Sequence, residues 1–90
     1  MTIFEKIING EIPCNKIYED DLILAFHDIN PHAKVHALVI PKPTHLKRLQ
    51  DAKRVDVELL GHLMTKIPEI ADMLGIAEGG YRVITNNGDH

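Results

Sequence analysis

The chain has 90 residues, which is enough for one hydrophobic core but not for two, so residues 1–90 are expected to form a single domain. Apolar residues make up 44% and charged residues 26%, which is typical of a folded globular protein and excludes a disordered one. A net charge of -3 gives no basic surface for nucleic acid. No apolar run approaches the length of a membrane span, so we expect a protein without membrane contact.

The side chains that could act as nucleophiles limit the enzyme mechanisms that this chain could use. The chain contains no serine, which excludes every serine-hydrolase mechanism. The single cysteine, Cys14, can form neither an internal disulfide nor a cysteine-rich zinc site, and it favours a cytoplasmic location. No phosphate-binding glycine motif is present, and the histidine spacing is a weak signal for a metal. We therefore expect neither a metal nor a cofactor.

The first third of the chain predicts a short helix followed by a hairpin. Thr2 and Glu5 fit a capping box, and the apolar spacing predicts a helix over residues 3–9 that Gly10 ends. Residues 16–19 predict a strand, followed by an acidic turn. Residues 22–28 are apolar on both faces, which predicts a strand inside the sheet.

The remaining elements complete an α+β fold. Residues 35–40 predict a strand that must run antiparallel to the previous one, because the link between them is too short for a parallel crossover. Apolar spacing predicts a long helix over residues 52–74, kinked or divided at Pro68 and ended by Gly75. Residues 81–85 predict a further strand and lead into an Asn-Asn-Gly turn with no returning strand, so we expect a domain that lacks its last strand.

Two polar residues stand out because the alternation of the strands puts them on apolar faces. His36 shares a face with Leu38 and Ile40, and it is interpreted either as an active-site residue or as a hydrogen-bonded core histidine. Asp28 ends an apolar strand face, where its carboxylate either binds a ligand diol or caps the next loop at Asn30. The other histidines of the first 62 residues, taken singly, are interpreted as surface or structural residues: His27, His32, His45 and His62.

Six segments match one known family in order and spacing: residues 3–8 (IFEKII), 11–13 (EIP), 18–21 (YEDD), 25–31 (AFHDINP), 36–42 (HALVIPK) and 80–88 (GYRVITNNG). Together they resemble the histidine triad (HIT) superfamily in its Hint-like branch, and the resemblance runs from residue 3 to the end of the chain. It implies a homodimer that binds a purine nucleotide and acts as a nucleoside phosphoramidase or nucleotidyl hydrolase through a nucleotidyl-histidine intermediate.

The resemblance also implies roles for individual residues. Asp28 would hold the ribose hydroxyls, Asn86 would reach the phosphate, and His36 would support the catalytic histidines. The purine would lie among Phe4, Ile7, Phe26 and Ile29. The family's nucleophile belongs to a His-x-His-x-His segment that these 90 residues lack. Catalysis is therefore expected only of an intact parent, and the alternative is a non-catalytic nucleotide-binding or interaction module.

Overall fold

The computed structural model describes residues 3–28, 35–43, 46, 48–85 and 87. It has the predicted α+β fold, with an antiparallel sheet, one short helix and one long helix, but the sheet of the described residues has three strands rather than four. The elements are helix α1 (Ile3–Ile8), strands β1 (Lys16–Glu19), β2 (Ile23–His27) and β3 (Ala37–Pro41), two 3-10 turns (Leu49–Asp51 and Arg54–Asp56) and helix α2 (Val57–Leu74).

The sheet has the order β1-β2-β3 with both pairs antiparallel, which confirms the predicted hairpin and the antiparallel β2–β3 pair. The central strand β2 is the core of the domain, because Ile23, Leu24 and Ala25 are fully buried. Burial of both faces explains its continuous apolar sequence. The predicted bounds are slightly wrong at this sheet: Leu22 precedes β2 and is exposed, and β3 begins at Ala37, so His36 lies just before the strand rather than inside it.

Helix α2 begins later than predicted, because residues 48–56 form two successive 3-10 turns instead of a first helical turn. An aspartate closes each of them: Asp51 accepts a hydrogen bond from the Arg48 backbone N–H, and Asp56 accepts one from the Lys53 backbone N–H. The helix is not divided at Pro68, which is exposed and leaves only the Met64 carbonyl without its helical donor. It ends where predicted, since Gly75 adopts a left-handed φ of 74°.

The predicted strand over residues 81–85 is wrong. These residues carry no strand pairing in the structure, and all five are exposed. A strand is stabilised by hydrogen bonds to a neighbouring strand, and among the described residues none lies against this segment. Residues 81–85 therefore have a strand-forming sequence, but the described residues include no neighbouring strand with which they pair.

The α1 prediction is confirmed in type and nearly in length, since the helix ends at Ile8 and Gly10 follows with a φ of 80°. The predicted capping residue Thr2 lies outside the described residues. None of the helices in the described part of the chain is both long and apolar enough to cross a bilayer.

Candidate functional site

The two residues that the sequence singles out, Asp28 and His36, lie in contact. They flank the ends of the paired strands β2 and β3, and the Asp28 backbone N–H donates to the His36 carbonyl at 3.0 Å. This bond continues the antiparallel register one step beyond the His27–Ala37 pair. The His36 Nδ1 lies 3.3 Å from the Asp28 Oδ2, with the two side chains 31% and 18% exposed. A carboxylate and an imidazole are thus held together at one end of the sheet, within reach of solvent.

Helix α1 supplies an aromatic ring to the same region. Phe4 is 42% exposed, and it lines a cavity that His36 also lines. An exposed phenylalanine on a small domain offers a flat apolar surface to a ligand ring. Ile7, on the same helix, is half-buried. The arrangement therefore combines one aromatic surface with a polar pair.

Three predicted site residues remain, and the structure describes one of them. Phe26 is buried in the core, where it pairs with Leu38 across β2 and β3, and its contact with a base stays a prediction. Ile29 and Asn86 lie outside the described residues.

The cavity lies between β3, α2 and residues 80–85 and has a volume of about 1220 Å³. This exceeds the roughly 300–1,000 Å³ typical of small-molecule sites. Most of its lining is apolar and includes Leu60, Leu63 and Ile67 of α2. In the described part of the chain β3 pairs only with β2, so the unpaired edge of β3 borders this space.

The side chain of Asn87 makes a long-range contact that the sequence did not reveal. Its Oδ1 accepts a hydrogen bond at 2.9 Å from the Gln50 backbone N–H in the first 3-10 turn. The bond attaches the end of the 81–85 segment to residues 49–51. Asn-Asn-Gly indicates a local turn, and a partner 37 positions away leaves no local signal.

A second titratable cluster lies at the opposite end of β2. The Asp20 carboxylate accepts hydrogen bonds from the His62 ring at 2.6 Å, the Tyr18 hydroxyl at 2.8 Å, and the backbone N–H groups of Leu22 and Ile23 at 2.8 and 2.9 Å. Partial burial raises the pKa of Asp20, but these four donors together outweigh burial and hold the pKa well below its usual range. The cluster links the β1–β2 turn to α2, in keeping with a structural role for His62.

The residues that the structure describes contain no group of three or more histidine, cysteine, aspartate or glutamate side chains able to hold a metal ion. The Asp28–His36 pair supplies two such ligands, and neither lies beside the Asp20 cluster, which is separated from it by the length of β2.

Comparison with known proteins places this chain in a family. The HIT domain profile matches residues 9–90. A HIT-like protein of Helicobacter pylori is 51% identical over 88 residues, which cover 98% of this chain and 81% of that protein. The purine nucleoside phosphoramidase of Escherichia coli K12 is 44% identical over 89 residues, which cover 99% of this chain and 74% of that enzyme. The crystal structure of a HIT family hydrolase from Legionella pneumophila superposes with a TM-score of 0.91 at 40% identity, covering 98% of this chain and 78% of the other. The chain belongs to the HIT domain family.

Proposed function

We propose that this chain binds a purine nucleotide at the Asp28–His36 pair, as the binding part of a nucleoside phosphoramidase or related nucleotidyl hydrolase. The observation that carries the proposal is the 3.3 Å contact between these two side chains at a partly exposed end of the sheet. The similarity to the Escherichia coli purine nucleoside phosphoramidase supports the same reaction class.

The chemistry of Asp28 suits a sugar. An ionised carboxylate only accepts hydrogen bonds, and a ribose offers two adjacent hydroxyl donors. In dinucleotide-binding folds an acidic residue at a strand end binds a ribose in the same way. The exposed ring of Phe4 is available for stacking on the base. Ile7, Phe26 and Ile29 are proposed to complete the base site. Asn86 is proposed to contact the phosphate.

The proposed reaction begins with attack by a histidine imidazole on the α-phosphorus. The phosphorus–nitrogen bond breaks, the amine leaves with a proton, and a nucleotidyl-histidine forms. Water then attacks the same phosphorus and releases the nucleotide and the free histidine. The chain of 90 residues has no His-x-His-x-His segment, so we propose that a parent protein supplies it on a further strand. The unpaired edge of β3 and the cavity beside it offer room for such a strand.

The second candidate is a nucleotide-binding or interaction module without catalysis. The two candidates differ in whether the gene continues in frame past His90 into a His-x-His-x-His run. A continuation with the run supports the enzyme, and its absence supports the module.

Isothermal titration calorimetry of the chain with AMP and GMP tests the binding proposal, and CMP serves as the pyrimidine comparison. Asp28→Asn keeps the size of the side chain but removes its charge and one acceptor. Hydrogen bonds to charged groups contribute about 1.5–3 kcal/mol, so affinity should fall roughly tenfold to a hundredfold. The matched control is Asp21→Asn at the exposed β1–β2 turn, which should bind like the wild type. Equal affinities for the two variants, or equal binding of AMP and CMP, would contradict the proposal.

We also propose that the protein is a cytoplasmic homodimer. The support for the dimer is exposed apolar surface. Val57 and Met64 lie seven residues apart and therefore on one face of α2, and Val83 and Ile84 are exposed as well. Sedimentation should give a dimer mass for the wild type. Val57→Glu should give a lower mass because it places a charge on the proposed interface, and the variant should still fold because an acidic residue is favourable at the start of a helix. A monomeric wild type would exclude the dimer.

A further inference from the structure

The hydrogen bonds at the two ends of the β2–β3 pair show which backbone groups of β3 are already used. At one end the Asp28 N–H donates to the His36 carbonyl at 3.0 Å, and at the other the Lys42 N–H donates to the Leu22 carbonyl at 2.8 Å. Between them the antiparallel register is unbroken. Since alternate residues of a strand direct their backbone groups to the same side, the even-numbered residues from 36 to 42 face β2.

The odd-numbered residues of β3 therefore face its other edge, which pairs with no strand among the described residues. At this edge Ala37 and Val39 each offer an N–H donor and a carbonyl. Pro41 has no N–H and offers only its carbonyl. A proline is tolerated in a strand at such an edge position, where no bond to the neighbouring strand is lost.

The opposite edge of the sheet is protected against pairing, and the edge of β3 is not. Strand β1 carries the charged side chains of Lys16 and Glu19, which form an ion pair of 2.7 Å, and its register shifts between Lys16 and Tyr18. Charges and bulges on an edge strand hinder a further strand from adding to it. Strand β3 has neither a charged residue nor a shift in register. It is therefore the edge to which a further strand can add.

Residues 81–85 line the same cavity as β3 and are anchored at both ends. On one side the Gly80 N–H donates to the Ile76 carbonyl at 3.1 Å, just beyond α2. On the other, the Asn87 Oδ1 accepts the bond from the Gln50 N–H at 2.9 Å. The segment between these anchors has a strand-forming sequence, and its five residues are exposed. The cavity thus has an unpaired strand edge and an unpaired strand-forming segment in its walls.

The cavity has the size of one strand. A five-residue strand is about 17 Å long and fills roughly 800 Å³ at the usual spacings between strands and between sheets. The cavity volume of about 1220 Å³ holds one such strand but not two. An apolar small molecule would leave the N–H groups of Ala37 and Val39 unpaired, whereas a strand pairs with them and also brings side chains to the apolar lining from α2.

We infer that this cavity is a receptor for one extended peptide that belongs to another chain. The peptide adds to the edge of β3 as a fourth strand, accepts hydrogen bonds from the N–H groups of Ala37 and Val39, and has apolar side chains at alternate positions. The main-chain bonds supply affinity, and the apolar lining selects the side chains. Capture of this peptide does not depend on nucleotide binding, and it goes beyond the proposed function because the strand has no covalent connection to this chain.

Fluorescence anisotropy of the 90-residue chain with a labelled peptide tests the inference. In the peptide valine alternates with threonine between terminal lysines, and the control peptide has the same sequence with its valine and threonine amides N-methylated. Among protein variants, Val39→Pro removes one edge N–H without removing a bond to β2, and Val39→Ala is the matched control that loses the side chain but keeps the N–H. We expect the control peptide to bind the wild type at least about tenfold more weakly than the unmodified peptide, and Val39→Pro to bind the unmodified peptide about tenfold more weakly than Val39→Ala.

Equal binding of the two peptides, or no binding of either, would overturn the inference, and this comparison holds even if Val39→Pro does not fold. Amide hydrogen exchange supplies a measurement that needs no variant. The amides of Ala37 and Val39 should exchange quickly in the free chain and slowly with the unmodified peptide, whereas Leu38 and Ile40 exchange slowly throughout. Slow exchange of Ala37 and Val39 without peptide, at a dimer mass, would show that a second copy covers the edge and would also overturn the inference. A wild type that binds the peptide but no nucleotide would support the inference and contradict the proposed function.

Discussion

Replacing Asp20 should destabilise the protein more than replacing any other single carboxylate of the β1–β2 turn. The side chain accepts four hydrogen bonds, from His62, Tyr18 and the backbone N–H groups of Leu22 and Ile23. The two backbone bonds close the turn, and the His62 bond connects the turn to α2. Asp20→Ala removes all four at once.

The expected magnitude follows from these contacts. A typical hydrogen bond contributes about 1 kcal/mol net, and water replaces part of that here because the Asp20 and His62 side chains are 24% and 29% exposed. We therefore expect Asp20→Ala to lower the free energy of unfolding by about 2–3 kcal/mol and His62→Ala to lower it by about 1 kcal/mol. The double variant should lose less than the sum of the two, since both single changes break the same bond.

Urea denaturation followed by circular dichroism measures these differences at neutral pH, with Asp21→Ala at the neighbouring exposed position as the control. Acid supplies a second measurement. The folded-state pKa of Asp20 lies below that of the unfolded chain, so its contribution is fully present above the unfolded value of about 3.9 and is lost as the pH falls toward the folded value. The wild type should therefore be more stable than Asp20→Asn at neutral pH, and this difference in the free energy of unfolding should shrink progressively as the pH falls below about 4. Equal stabilities for Asp20→Ala and Asp21→Ala would show that the four hydrogen bonds of Asp20 do not stabilise the fold, and fully additive effects of Asp20→Ala and His62→Ala would show that the two side chains do not interact.

Three further predictions concern other parts of the chain. Pro68→Ala should raise the free energy of unfolding by about 1–3 kcal/mol, because alanine restores the N–H that the Met64 carbonyl lacks, and a destabilised variant in urea titration would show that the proline ring makes an essential contact. Gly75→Ala should lower it by about 1 kcal/mol, since the φ of 74° disfavours a side chain, and an unchanged denaturation midpoint would show that the helix end relaxes without strain. The purified 90-residue chain should not hydrolyse adenosine phosphoramidate, and turnover that His36→Ala leaves unaffected would mean that the nucleophile lies elsewhere in these residues.

The parts of the fold that the sequence predicts are those decided by short-range patterns. The continuous apolar run of residues 23–26 marks a strand buried on both faces, and β2 is the central strand. Gly75 stops α2 because only glycine readily adopts the left-handed conformation there. The alternation along the strands also singled out Asp28 and His36 separately, and the antiparallel register brings them together.

The parts that it does not predict depend on partners distant in the chain. Residues 81–85 have strand-forming side chains, but a strand exists only beside another one, and local propensity contains no information about that neighbour. Helix α2 begins at Val57 rather than at the predicted residue 52, because Asp51 and Asp56 each close a 3-10 turn ahead of it. His62 and Asp20 are 42 positions apart, so their contact arises from the packing of α2 on the sheet and not from any motif.

Heteronuclear NMR during titration with AMP is the sharpest test of nucleotide binding at the Asp28–His36 pair, since it reports both whether AMP binds and which residues it contacts. We expect chemical-shift changes centred on the amides of Asp28 and His36 and extending to Phe4 on α1, with little change at Asp20 and His62 at the other end of β2. Saturating AMP that leaves the Asp28 and His36 signals unmoved, or shifts centred on Asp20 and His62, would contradict it.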